Sequence, residues 1–391
     1  MIPALHAFGG ATTLRHTPMT DPRITNLANL LVHYCTEVQP NDWVVIRSHV
    51  AGLPLVEETV RAVTAAGAHP TVLLENEGVI DAFAHAATDA QLGWASPFEQ
   101  LVAEKADVRI SIDAAANTRA LTSLPPARAQ QLQRGRRAYQ QTMMQRAAAG
   151  DFRWVLTLFP CAAYAQEAEM SLREYEDFVY AATAADQPDP VAHWRQVHDR
   201  QQRLVDWLAG KQEVTVRGPN VDLRLSIAGR TFMNSDGRRN MPSGEIYTGP
   251  VEDSVNGWVR FTYPALRAGR AVEGVELTFF DGAVVEAHAA KGEDFLIATL
   301  DTDPGARFLG EFAMGTNNEI QRFTRNILFD EKLGGTMHMA VGAGYPETGS
   351  RNKSAVHWDF ICDLRTESEI RVDGELFYAN GKFALEGPAQ V

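Results

Sequence analysis

RITNLANLLVHYCTEVQPNDWVVIRS, residues 23–48, sets a helical period directly against a β-branched run, and this juxtaposition decides the fold class of the first half of the chain. Apolar side chains three and four apart from Ile24 onward form the stripe an amphipathic helix requires, with Asp21 at its start. WVVIRS (43–48) then reads as a short buried strand. The alternation continues outward. A helix is predicted from Pro54 to Ala66, closing at Gly67, which suits the left-handed position after a helix. Strands are predicted at PTVLLE (70–75), VRISID (108–113) and WVLTLFP (154–160), and a long helix over 127–148. Two more helices follow, the second ending near Leu208. Strand–helix alternation of this kind predicts an α/β domain with a mostly parallel sheet.

The pattern changes after Gly210. EVTVRG (213–218) and VDLRLS (221–226) alternate strictly and are punctuated by turn residues, as antiparallel hairpins are. Further strands are expected over 273–280, 284–290, 337–341 and 356–364, with a helix near 294–301. The chain is therefore divided into an N-terminal extension (1–20, with Met19 a second candidate start), an α/β domain (21–212) and an α+β domain with largely antiparallel strands (213–391).

Bulk properties narrow the function classes. The 391 residues are 45% hydrophobic and 22% charged, the balance of a soluble globular protein. A net charge of −13 opposes binding to nucleic acid or to an anionic membrane. No run approaches the ~18 consecutive apolar residues of a membrane span, and the N-terminus lacks the basic and apolar regions of a secretory signal. Cys35, Cys161 and Cys362 form neither a CxxC pair nor a disulfide framework, so a reducing, cytoplasmic setting is expected. Neither a GxxxxGK[ST] phosphate loop nor a GxSxG elbow is present. His49 and His288 carry no assignable role.

Chemistry concentrates in the second half. In AVHWDFICDL (355–364), His357 and Asp359 are two apart in a strand and project from one face. Such a pair is a suitable ligand set for a divalent ion, and equally describes a hydrogen-bonded His–Asp couple. In GGTMHMAVGAGYP (334–346), His338 shares its face with the small Thr336 and Ala340, and Tyr345 follows at a turn. NSDGRRNMPSGEIYTGPVEDSVNG (234–257) is rich in turn formers and is expected to be an ordered loop, with Glu245 poised before an apolar stretch. In RFLGEFAMGTN (307–317), Glu311 stands in apolar company, where an unpaired carboxylate is costly and a cation relieves it. Glu331, in FDEKLGG just ahead of His338, is a further acid. Several carboxylates and two histidines exceed the needs of one ion and fit two ions roughly 3.5–4 Å apart.

Taken in chain order, the stretches at 234–257, 307–317, 334–346 and 355–364 resemble the M29 metalloaminopeptidases, the aminopeptidase T and aminopeptidase S group, and the likeness extends over about residues 20–385. The resemblance implies metal positions at Glu245, Glu311, His338, His357 and Asp359, and at Glu331, the acid a few residues ahead of the first histidine. Tyr345 takes the position of a tyrosine that steadies the reaction intermediate, and Glu331 or Glu311 that of the general base. It further implies a homodimer, two divalent ions (zinc, cobalt or manganese), and hydrolysis of N-terminal residues from peptides with a free N-terminus by a metal-activated water. The alternative is a mononuclear Fe(II) dioxygenase of the 2,5-dihydroxypyridine type, for which His338, His357 and Asp359 would form the 2-His-1-carboxylate set.

Overall fold

A computed structural model describes residues 21–267 and 269–386; the extension expected over 1–20 lies outside them. The first half is organised on β1 (Trp43–His49), β2 (His69–Glu75), β3 (Val108–Asp113) and β4 (Arg153–Leu158), which pair in parallel in the order β2-β1-β3-β4. The opening helix, Pro22–Leu30, is capped by the Asp21 carboxylate, which accepts from the Arg23 N–H at 2.9 Å. Its apolar stripe, Ile24, Leu27, Leu30 and Leu31, packs with Val44, Ile46 and Val63 in one core, as the spacing predicts. Three short helices, Glu77–Ala86, Asp89–Leu92 and Pro97–Lys105, stand where periodicity gives no helix. The first buries only Ala84. They are specified by their starts instead: the side chains of Asn76, Thr88 and Ser96 each accept a hydrogen bond from a first-turn N–H.

The second half begins with β5 (Glu213–Gly218), β6 (Val221–Ser226), β7 (Met233–Ser235), β8 (Asn240–Met241), β9 (Glu245–Thr248) and β10 (Asn256–Arg260). A hairpin of β11 (Ala265–Arg267) and β12 (Arg270–Val272) follows, then β13 (Glu276–Phe280) and β14 (Ala283–His288). After a helix over Glu293–Leu300 come β15 (Leu309–Gly315), β16 (Thr336–Gly342) and β17 (His357–Asp363), and last β18 (Glu369–Val372), β19 (Glu375–Ala379) and β20 (Lys382–Phe383). They build an eight-stranded sheet, β14-β13-β10-β6-β5-β18-β19-β20, and a five-stranded one, β17-β16-β15-β9-β7. Every pairing within these two sheets is antiparallel. Val216, Leu223, Val259 and Leu277 of the first meet Phe312, Met337, Met339 and Phe360 of the second in a shared core. The chain thus joins a parallel α/β part to a largely antiparallel part.

The stretch 234–257 is not the loop its composition suggests. It contains β7, β8 and β9, and the turn formers sit at the corners between them, where Gly237 and Gly244 have φ of 101° and 115°. β8 crosses back to the first sheet and pairs in parallel with β4 through Leu156↔Asn240 and Thr157↔Met241. Among the described residues no helix is long and apolar enough to cross a membrane, and the three cysteines are buried and free.

β15 is irregular between Leu309 and Glu311, where Gly310 lies against the end of β16. A Cβ there would run into the carbonyl oxygens of Ala343 and Gly342. Gly310→Ala is therefore expected to push the strands apart and lower unfolding stability by about 1–3 kcal/mol, read as a lower urea midpoint. An unchanged midpoint would show that the strands have slack at this point.

Candidate metal centre

The register of the five-stranded sheet decides where its polar residues go. Glu311 and Asp359 both pair with Ala340, His338 pairs with Ala313 and Ile361, His357 with Gly342, and Glu245 with Gly315. Because side chains alternate along a strand, Glu245, Glu311, His338, His357 and Asp359 leave the same face from four neighbouring strands. Phe312, Met337, Met339, Trp358 and Phe360 leave the other face for the core. On the polar face, Ala313, Gly315, Ala340 and Gly342 keep the space between the ligands clear.

The convergence is close. Donor atoms of Glu245, Glu311 and His338 lie within 4.8 Å of one another, as do those of Glu311, His357 and Asp359, and those of Glu331, His338 and Asp359. His338 Nε2 is 3.1 Å from Glu245 Oε2 and 3.6 Å from Glu311 Oε1. His357 Nε2 is 3.5 Å from Glu311 Oε2 and 3.6 Å from Asp359 Oδ1. All six acid and imidazole positions singled out in the sequence therefore meet. The His357 Nδ1–H donates to the Ala343 carbonyl at 2.8 Å, which leaves Nε2 as the lone-pair nitrogen facing the carboxylates. Tyr345 stands at the rim, 39% exposed, its ring centroid 5.4 Å from those of His357 and Tyr247.

Two supporting residues are not legible in the sequence. Lys332 is completely buried; its Nζ lies 3.0 Å from Glu245 Oε1 and also pairs with Glu331. Its only signal is an adjacent Glu–Lys pair, which looks like ordinary surface. Gln201, in the helix Pro190–Leu208, reaches the Asn234 side chain at 2.6 Å and the Glu245 carbonyl at 3.3 Å, and accepts from Thr316 Oγ1 at 2.6 Å. It anchors the backbone on which Glu245 stands.

The donor set fits divalent cations. Glu245 Oε2, Asp359 Oδ1 and His338 Nδ1 are buried atoms without a hydrogen-bond partner, a costly condition in a protein interior. Four carboxylates (Glu245, Glu311, Glu331, Asp359) face one permanent cation, Lys332, leaving three negative charges uncompensated when the imidazoles are neutral. Oxygen and imidazole ligands without sulfur suit zinc, cobalt or manganese.

Comparison with known proteins agrees with this arrangement. Residues 20–383 match the model of the family described as thermophilic metalloprotease (M29). The chain is 32% identical over 275 residues to aminopeptidase 2 of Geobacillus stearothermophilus, covering 60% of this chain and 65% of that protein. It is 33% identical over 295 residues to aminopeptidase T of Thermus aquaticus, covering 66% and 70%. The matched stretch thus spans about two thirds of the length of these relatives. Among solved structures, wild-type AmpT from Thermus thermophilus superposes with a TM-score of 0.82 at 24% identity, over 93% of this chain and 99% of that one. A 2,5-dihydroxypyridine dioxygenase from Pseudomonas putida superposes with a TM-score of 0.56 at 12% identity, over 94% and 99%. Both likenesses establish the fold.

Burial alone would lower the pKa of His338, but Glu245 and Glu311 outweigh it and hold the imidazole up to about 10. Glu311 is pushed up, chiefly by burial. At about pH 7.5 His338 is then protonated, whereas an imidazole ligates only when neutral. Zn²⁺ binding at this pH is expected to release at least about one proton per chain, so apparent affinity rises with pH toward 10. Calorimetric titration in buffers of different ionisation enthalpy reads this release; identical heats in every buffer would remove His338 from the ligand set.

Proposed function

Because the chain belongs to the M29 family of thermophilic metalloproteases, we propose that it is a metal-dependent aminopeptidase that removes N-terminal residues from peptides at a dinuclear centre. The observation that carries this reading is Glu311. One of its oxygens faces His338 and the other faces His357, so a single buried carboxylate belongs to two ligand sets. Glu245, Glu311 and His338 would hold one ion; Glu311, His357 and Asp359 would hold the other. Two divalent ions offset three negative charges, and one does not. Bound there, they supply Lewis acidity that acidifies a water and polarises the scissile carbonyl.

The remaining steps fall to the chain's own groups. With both Glu311 oxygens engaged, the general base is Glu331, held by Lys332 and within reach of His338 and Asp359. Its carboxylate takes the proton of the attacking water and returns it to the departing amine. Burial, then the charges of Glu311, Asp359 and Glu245, pushes the Tyr345 phenol up, so it keeps its proton and donates from Oη to the developing oxyanion. The net charge of −13 favours the approach of a free α-ammonium, the group that distinguishes a peptide's end from its interior. The proposal includes a cytoplasmic homodimer; the free buried thiols support a reducing compartment.

The dioxygenase reading is not favoured. It would use His338, His357 and Asp359 for one iron and leave buried Glu311 without a partner of opposite charge, Glu245 keeping only Lys332. Glu245→Gln and Glu311→Gln are each expected to abolish hydrolysis of amino-acyl anilides and to lower the bound metal content. Glu331→Gln should keep its metal while kcat falls by about 10²–10⁴-fold, and Tyr345→Phe should lose about 10²–10³-fold. Metal analysis and steady-state kinetics on the same preparations check both. Retained hydrolysis in Glu245→Gln and Glu311→Gln, or a strict iron requirement, would refute the reading.

A further inference from the structure

A second charged cavity of about 390 Å³, sharing no residue with the metal centre, runs along one face of the parallel sheet to the carboxyl ends of β1, β2 and β3. Its floor is one face of the first sheet. Arg47 and His49 on β1 share that face with Arg109, Ser111 and Asp113 on β3, and the register sets Arg47 beside Ser111. Interior strands of a parallel sheet are covered on both sides and are ordinarily apolar. On the same face Val45 and Leu73 do pack with Val102, Tyr139 and Phe152, yet the register sets Val45 beside Arg109 and Leu73 beside Arg47. The rule is broken on two interior strands at once. β1 has β2 on one side and β3 on the other, so the connections leaving β1 and β3 diverge, and the crevice between them is where open α/β sheets take ligands.

The charges in this cavity are unevenly paired, although Asp113 also lines it and Glu99 lies 4.0 Å from Arg136. Arg47 is ion-paired with Glu75, and Arg136, from the covering helix Pro126–Ala148, reaches the same carboxylate at 3.4 Å. Arg109 enters no ion pair among the described residues. It donates to Tyr139 Oη at 2.7 Å and to Met143 Sδ at 3.4 Å, and its buried Nε has no partner. A guanidinium stays charged at every physiological pH, so its burial asks for an anion. Three guanidiniums line the cavity against two carboxylates, Glu75 and Asp113. Trp154, Leu156 and Met144 supply apolar wall.

We propose that this cavity binds a small organic oxyanion, its charged group taken by Arg109 beside Arg47 and its apolar body resting on Trp154 and Met144. A carboxylate and a phosphate monoester share this chemistry. Fork-shaped guanidinium donors suit either, and the apolar wall sets the requirement for a body larger than an inorganic ion.

The metal-loaded protein, titrated by calorimetry and ligand-observed NMR with phenylacetate, phenyl phosphate and benzyl alcohol, tests this. Saturable binding of either anion but not of the alcohol supports the site, and the anion that binds identifies the source. Arg109→Met should weaken that binding by about tenfold or more, with a melting temperature no lower than that of the wild type, because an unpaired buried charge is removed. Arg136→Gln, on the covering helix, should weaken it as well and serves if Arg109→Met does not fold. Glu311→Gln should bind as the wild type does, which separates this cavity from the metal centre whether or not the peptidase reading holds. The proposal is overturned if neither anion saturates, if benzyl alcohol binds equally, if Arg136→Gln and any folded Arg109→Met keep full affinity, or if Glu311→Gln abolishes binding.

Discussion

Four carboxylates drawn into one hollow repel one another, Glu245 and Glu311 among them are buried away from water, and the second half of this molecule is organised around that constraint. Unit charges about 4 Å apart interact by roughly 4 kcal/mol at an effective dielectric near 20, so the acids need compensating charge close at hand. Lys332 provides some of it, with its ammonium against Glu245 and Glu331. The imidazoles face the rest. Rigidity matters as much as charge. Glu245 is held through its backbone by Gln201, and His357 through its Nδ1–H. A sheet, unlike a set of loops, lets like charges be set side by side because ladder hydrogen bonds and an apolar underside oppose their separation.

The chemistry was readable where it followed a period. His357 and Asp359 stand two apart in a strand, and their coincidence on one face follows from strand geometry alone. The small residues flanking His338 foreshadow the open space beside it, and Glu311 is conspicuous as an acid within an apolar run. Lys332 could not be read in this way, because its burial comes from long-range packing of a turn against β9 and leaves no periodic trace. The same limit hid the helices between β2 and β3, which depend on capping side chains more than on an apolar stripe. It also hid β8, whose two residues are too few to show an alternation.

The polar floor of the first sheet follows a related logic. VRISID reads as a plain buried strand, and Val108, Ile110 and Ile112 behave as one. Its alternate positions, Arg109, Ser111 and Asp113, become informative only when β1 aligns Arg47 and His49 beside them. A charge pattern that is unremarkable along one strand gains meaning across two, and register is a property no single segment carries.

The short crossing of β8 into the first sheet has a mechanical consequence. Asn240 and Met241 are bonded to β4 only four residues ahead of Glu245, so the stretch delivering that acid is stitched at one end to the parallel sheet and at the other to β15. A disturbance that frays the parallel sheet tugs on Glu245, and a grip tightened around Glu245 steadies the parallel sheet in return. Two architecturally different halves thereby share one tether, and it runs through the stretch that carries Glu245.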